Sequence, residues 1–196
     1  MSVRANFDKR YYDRFYGGAR DRARYRADER RLGEFLFAYL AYLGQPVRNV
    51  LDIGCGHGHW REIVGERYPE AAYKGVERSE YLCETFGWEQ GSAVDYASSQ
   101  PFDLVICKDT LQYLSANEFK AAVTNLARLC RGALYLSILT SEDWRENCDR
   151  RRTDDRVYRR SGSWYRQILC GHFLNLGGGL FLSELSPAIP WELEKL

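Results

Sequence analysis

Paired cysteines are missing from this chain. Its six cysteines stand singly at 55, 83, 107, 130, 148 and 170. None forms a C-x-x-C pair, which argues against a zinc knuckle or a thioredoxin-type redox motif, and no metal is expected. Cys55 and Cys107 fall in or beside apolar runs, where a free thiol behaves as a small apolar side chain. The thiols therefore read as reduced and the compartment as cytoplasmic. A long apolar stretch is also lacking: nothing approaches the roughly 18–20 residues that cross a bilayer, so no membrane partner is expected. Met1 to Arg10 are polar and lack the apolar centre of a secretory leader. Charge of one sign is absent as well. Lys and Arg number 28 against 27 Asp and Glu, a net +1, which gives no global pull toward nucleic acid or an anionic surface. No internal repeat is visible.

What is present is the make-up of a folded domain. The 196 residues are 45% hydrophobic and 28% charged, enough for one domain, 1–196, with a sizeable core. Residues 1–27 form an arm rich in Arg and Tyr, with Gly17-Gly18 expected to break it in two. Over 1–31 there are ten positive and five negative charges, a local excess that can face an anionic substrate. Leu32, Phe35, Leu36, Tyr39, Leu40 and Leu43 then recur at i, i+3, i+4, i+7, i+8 and i+11. That spacing predicts an amphipathic helix over 28–43, capped by Asp28 and ended by Gly44 and Pro46.

Strands and helices alternate from there. Strands are predicted at 48–53, 73–77, 88–91, 102–107 and 133–139. Between them lie helices at 60–68, at 80–86 (capped by Ser79, with Leu82 and Phe86 inward) and after the Ser115–Glu118 capping box. That last helix should bury Phe119, Ala122, Val123, Leu126 and Cys130 and close at Gly132. Five such repeats argue for a doubly wound α/β sheet. A polar insertion, 141–163, interrupts the pattern and reads as a lid. After a short helix from Trp164, the segments 173–176 and 180–185 flank Gly177-Gly178-Gly179 and read as a hairpin. A short amphipathic tail runs from Trp191 to Leu196.

In an open parallel sheet the ligand sits beyond the carboxyl ends of the strands. The first strand runs into Asp52-Ile53-Gly54-Cys55-Gly56-His57-Gly58, a glycine loop followed at once by a helix. Glycines there permit positive φ and let a ligand approach the backbone. Glu77 stands at the tip of the second strand, 23 residues after Gly54, where a carboxylate can accept both hydroxyls of a ribose. A dinucleotide loop, G-x-G-x-x-G, would require glycine at 59. Here glycine comes one residue early, at Gly58, and Asp52 sets a carboxylate beside the loop. A pyrophosphate is repelled by that charge, whereas an ammonium or sulfonium is attracted.

These residues resemble motif I of the class I, Rossmann-like S-adenosylmethionine-dependent methyltransferases. The likeness extends through Glu77, Phe102 to Ile106 and Leu111 to Leu114, and it covers roughly residues 28–185. The resemblance implies an α/β sheet of seven strands in the order 3-2-1-4-5-7-6, the seventh antiparallel, with helices on both faces. It implies S-adenosyl-L-methionine as cofactor and S-adenosyl-L-homocysteine as product. Asp52, Gly54, Cys55, Gly56, Glu77, Arg78 and Lys108 are then expected to bind the cofactor. Many members of that family carry Gly-Asp-Ala after the third strand, but this chain has Gly91-Ser92-Ala93. Adenine recognition falls to Ser92, to the backbone at Ala93 and Val94, or to Asp95 reaching back.

In-line methyl transfer from a sulfonium asks mainly for alignment and exclusion of water. A base is needed only where the acceptor must lose a proton, and His57 and Asp109 at the strand ends are the candidates. Acceptor contacts are expected from the arm and the insertion, with Tyr11, Tyr16, Tyr158, Trp164 and Arg166 as candidates. A small-molecule acceptor, anionic or aromatic, is favoured by the near-zero net charge. An RNA methyltransferase using the Arg-rich segments as a phosphate stripe is the runner-up. A protein that binds the cofactor without transferring its methyl group is the third reading.

Overall fold

The computed structural model describes residues 7–16 and 19–196, the side chains of 19–24 excepted. The Gly17-Gly18 break and the side chains of Arg20, Arg22 and Arg24 thus lie outside the described residues. The strands are β1 (Asn49–Ile53), β2 (Ala72–Glu77), β3 (Glu89–Gln90), β4 (Phe102–Lys108), β5 (Cys130–Ser137), β6 (Phe173–Gly177) and β7 (Leu180–Ser183). They form one sheet in the order β3-β2-β1-β4-β5-β7-β6. The pairs from β3 across to β5 are parallel, and β7 runs antiparallel to both its neighbours. The expected topology is therefore the observed one.

Alternation along the central strands builds two cores at once. Leu104 and Ile106 of β4 face α2 (Ala19–Tyr42) and α3 (His59–Arg67), where Leu36, Leu40, Trp60 and Val64 meet them. Val105 and Cys107 face the opposite layer, α5 (Ala116–Leu129) and α7 (Gly162–Leu169), represented by Phe119, Leu126, Tyr165 and Leu169. A third, smaller cluster joins α1 (Lys9–Tyr16) to α4 (Glu80–Phe86) through Tyr11, Tyr12 and Leu82. Between β5 and α7 the insertion holds one short helix, α6 (Ser141–Glu146). No helix among the described residues is long and apolar enough to cross a membrane.

Local chemistry sets the helix starts. Ser115 and Glu118 form the expected reciprocal capping box, and Ser79 Oγ accepts from the Leu82 N–H at 3.3 Å. Several boundaries differ from expectation. α2 begins at Ala19 rather than Asp28, because nothing between them breaks the helix; Asp28 instead pairs with Arg31 at 3.0 Å on the helix surface. Phe86 is 40% exposed rather than inward. α5 ends at Leu129, and Cys130 already belongs to β5, so Gly132 is no helix stop. Gly132 serves another purpose: a Cβ there would collide with the Asp103 carbonyl and the Gln45 side chain.

The same substitution therefore has opposite expected effects at two glycines. Gly132→Ala should destabilise the fold by about 1–3 kcal/mol through overpacking. Gly65→Ala, in α3 with open space around the new methyl group, should be neutral or add about 0.5–1 kcal/mol of stability. Urea melts of both variants check this, and equal effects would contradict the packing assigned to Gly132.

Candidate active site

The glycine loop leaves β1 and is pinned from three sides. The N–H groups of Gly54 and Cys55 donate to the Val76 carbonyl of β2 at 2.8 and 3.2 Å. The Gly56 N–H donates to Glu77 Oε2 at 3.0 Å, and the Gly56 carbonyl accepts from Trp88 Nε1 at 2.9 Å. Gly54, Gly56 and Gly58 have φ of 77°, 54° and 76°, the left-handed region that favours glycine. At Gly54 and Gly58 an added Cβ would also strike Thr110 and Trp88, whereas at Gly56 it would meet no atom within 4 Å. Gly56 lines a cavity at the carboxyl ends of β1, β2 and β4.

Glu77 is buried at the tip of β2. Its Oε1 accepts from the N–H groups of Arg78 and Ser79 at 2.8 and 2.9 Å, while Oε2 holds Gly56. A carboxylate offers about four acceptor directions; three are used, leaving one on Oε2 for a ligand hydroxyl. Asp52 is on the α2–α3 face of β1, fully buried, and accepts from the Tyr73 hydroxyl at 2.5 Å. Burial pushes its carboxyl up to about 7, with Glu29 and Glu77 adding to the effect and Tyr73 and Lys108 opposing it.

A polar network closes the far end of this inner cavity. The Glu29 carboxylate, buried on α2, accepts from His59 Nδ1 at 2.8 Å and lies 3.7 Å from Lys108 Nζ. Lys108 also donates to the Tyr25 hydroxyl at 2.7 Å and to Asp109 Oδ2 at 2.5 Å. Burial opposes the Lys108 charge, but Asp109, Tyr25 and Glu29 outweigh it and hold the ammonium well above its ordinary value. Phe7, Tyr11 and Tyr12 close the cavity from the α1 side. Burial raises the hydroxyls of Tyr12, Tyr16 and Tyr25 far above the usual phenol range, so they stay neutral.

Asp109 marks the exit. It is the non-glycine residue with positive φ, 54°, among those described, a strained setting that the surroundings enforce. Its N–H donates to the Ser137 carbonyl at 2.9 Å, its carbonyl accepts from Gln112 Nε2 at 2.9 Å, and Oδ1 accepts from Ser137 Oγ at 3.2 Å. Beyond it opens an outer cavity of about 770 Å³. Tyr11, Tyr16, Tyr25, His57, Asp109 and Tyr113 line both spaces and form a collar between them. The insertion supplies part of the outer wall through Cys148 and residues 152–154.

The structure brings most of the expected residues together. Asp52, Gly54, Cys55, Gly56, Glu77 and Arg78 line the inner cavity, as do Ser92, Ala93 and Lys108; His57, Asp109, Tyr11 and Tyr16 stand at the collar. Others lie elsewhere. Val94 packs against the α5 core instead of lining either space. Ser92 Oγ donates to Asp95 Oδ1 at 2.7 Å and accepts from the Val94 N–H at 3.3 Å, so Asp95 reaches back to the serine. Trp164 packs tilted against Phe119 and edge-to-face with Tyr165, and the Arg160 guanidinium bridges it to Tyr158, 4.7 Å from each ring centroid. Those two aromatics build the α7 layer and, with exposed Arg166, line neither cavity. Sequence reasoning missed Tyr25, Glu29 and His59. The signal was available: Tyr25, Glu29, Leu36 and Leu40 continue one helical stripe back through the arm, once Asp28 is not taken as the helix start.

An open α/β sheet with a strand–glycine loop–helix turn, and an acid at the next strand tip, defines a domain that binds a nucleoside-type cofactor. A sequence model of the methyltransferase domain family matches residues 21–184, and the chain belongs to that family. Among curated relatives, the trans-aconitate 2-methyltransferase of Methylobacterium nodulans is 35% identical over 79 residues, 37% of this chain and 30% of that protein. The malonyl-[acyl-carrier protein] O-methyltransferase of Legionella pneumophila is 26% identical over 129 residues, 60% of this chain and 45% of that one. The chain thus spans less than half the length of either relative. Among solved structures, the plantazolicin methyltransferase BpumL in complex with SAH superposes with a TM-score of 0.62 at 16% identity, covering 87% of this chain and 71% of that one, which shows a shared fold.

Asp52 gives this site a pH signature. Below pH 4 the carboxyl is protonated folded or unfolded. Between pH 4 and about 7 only the folded state holds the proton, so stability falls as pH rises through that window and levels off above it. Asp52→Asn, which mimics the protonated form, should match wild type only near pH 3, and its advantage should grow by on the order of 3 kcal/mol between pH 5 and pH 8. Denaturant melts at the two pH values measure this; a difference independent of pH would contradict it.

Proposed function

We propose that this chain is an S-adenosylmethionine-dependent methyltransferase that passes a methyl group in line to an O, N or S nucleophile of a small-molecule acceptor. The observation that carries the reading is the Glu77 carboxylate joined to the Gly56 N–H in the wall of the inner cavity. The residues present suit the cofactor. Glu77 retains an acceptor direction for a ribose hydroxyl, and Gly56 leaves room where any side chain would intrude. Lys108 supplies positive charge for a carboxylate and Glu29 negative charge for an ammonium or sulfonium, to which Asp52 adds above about pH 7. Adenine would rest at Ser92 and Ala93, with backbone groups as its polar partners because the serine hydroxyl is already engaged.

The bound cofactor would supply an electrophilic methyl group. The chain's own contribution is alignment and dryness. The glycine loop and Glu77 hold one end of the site, Lys108 and Glu29 the other, and the aromatic residues of α1 keep water out. At the collar, Asp109 and His57 stand where an acceptor proton would leave, and the backbone of Asp109 is fixed by Ser137 and Gln112. The relatives' names speak of trans-aconitate and a malonyl-carrier acceptor, which supports a small acceptor over a nucleic acid.

S-adenosylhomocysteine at about 100 times its Kd should stabilise the protein by about 2.7 kcal/mol, and NADH should not stabilise it. Glu77→Ala should weaken that binding about 10–100-fold in calorimetry; unchanged affinity would remove Glu77 from the site. An acceptor screen with methyl-labelled cofactor and pools of metabolites and RNA decides the acceptor class. Labelling confined to RNA, in a salt-sensitive manner, would overturn the small-molecule reading. Cofactor binding without any transfer would reduce the chain to a cofactor-binding protein.

A further inference from the structure

The basic side chains of the two cavities are sorted. Lys108 and Arg78 line the inner space and Arg26 and Arg152 the outer one, with His57 and His59 between them lining both. Lys108 spends two of its three N–H donors on Tyr25 and Asp109, with Glu29 at 3.7 Å, and its remaining donor belongs to the cofactor carboxylate. Arg26 is not spent: its Nε–H donates to His59 Nε2 at 3.3 Å, and its terminal nitrogens have no acceptor among the described residues. The chemistry of this relay has one solution. A carboxylate can only accept, so Glu29 takes the hydrogen of His59 Nδ1, and Nε2 is left as the lone pair that receives Arg26. A long side chain that would otherwise wander is held by its Nε, with the flat Nη1–Nη2 fork left over. That fork matches two parallel bonds to a planar oxyanion.

Neither acid among the described residues of the outer wall cancels this charge. Asp109 accepts from Lys108, and Asp154 is clasped by Arg156 at 3.0 and 3.3 Å. Each acid therefore has a cation of its own. Most of the remaining wall is rings: Phe15, Tyr16, Phe86 and Tyr113.

Building on the methyltransferase reading, we infer that the acceptor carries a carboxylate, which Arg26 grips as a handle, on a flat aromatic or unsaturated frame that packs against these rings. A cationic acceptor would meet the fork with like charge.

Matched probes test this on the full chain, with and without S-adenosylhomocysteine: 4-hydroxybenzoate against 4-hydroxybenzamide, and cinnamate against cinnamamide, titrated by saturation-transfer NMR. The acids should bind about tenfold more tightly than the amides. Arg26→Gln should abolish that preference while keeping S-adenosylhomocysteine affinity within about threefold of wild type, whereas Lys108→Gln should lower it well beyond that. Three outcomes overturn the inference. Acids and amides bind alike; no acid saturates below about 10 mM; or Arg26→Gln costs as much cofactor affinity as Lys108→Gln, which would place the guanidinium at the cofactor end. Acid preference that depends on Arg26, in a protein that does not bind S-adenosylhomocysteine, would leave the carboxylate handle standing and sink the methyltransferase reading instead.

Discussion

The Glu77 carboxylate is the joint on which the site depends. It gathers N–H groups from the glycine loop after β1 and from the turn between β2 and α4. These segments are far apart in sequence and would otherwise leave the donors at the carboxyl edge of the sheet unpaired. A buried carboxylate is costly unless its acceptor sites are filled, and here the backbone fills most of them. The same arrangement leaves the loop open on the side of the cavity. Trp88 holds Gly56 from the other side, so the loop is set in place by its surroundings, as a preorganised binding surface requires.

The second organising element is α2. Its C-terminal half packs on the sheet in the usual amphipathic manner. Its N-terminal half carries Tyr25, Arg26 and Glu29 over the strand ends, where they meet His59 and Lys108. One continuous helix thus links the hydrophobic core to the polar end of the site. With α1, it forms a wall shared by the inner region at the glycine loop and the outer, ring-lined one.

The fold was largely legible in the sequence because its signals are local. Strand length, the 3.6-residue stripe of α2, the Ser115–Glu118 box and the glycine hairpin each report on a few neighbouring residues. Local signals also misled. Asp28 looked like a cap, yet a helix that can bury Glu29 against His59 and Lys108 has no reason to stop there. Cys130 fitted the α5 stripe, but pairing of β5 with β4 claimed it for the sheet. Trp164 and Tyr158 looked like acceptor contacts because they are aromatic and lie in a polar segment. They instead sandwich the Arg160 guanidinium in the α7 layer.

The chain by itself determined the order of elements, the ligand-binding loop and the acid at the second strand tip. All three follow from spacing along the backbone and from what glycine and carboxylate groups can do. Tertiary structure alone decided which side chains share a cavity. Arg26 and Arg166 are equally charged and equally polar in sequence, but only one has a neutral histidine nitrogen to hold it at the rim of the outer space. The physical reason is that hydrogen-bond partners such as Glu29, His59 and Lys108 come from three separate elements. Their convergence is set by how α2 crosses the strand ends, and no local pattern encodes that crossing.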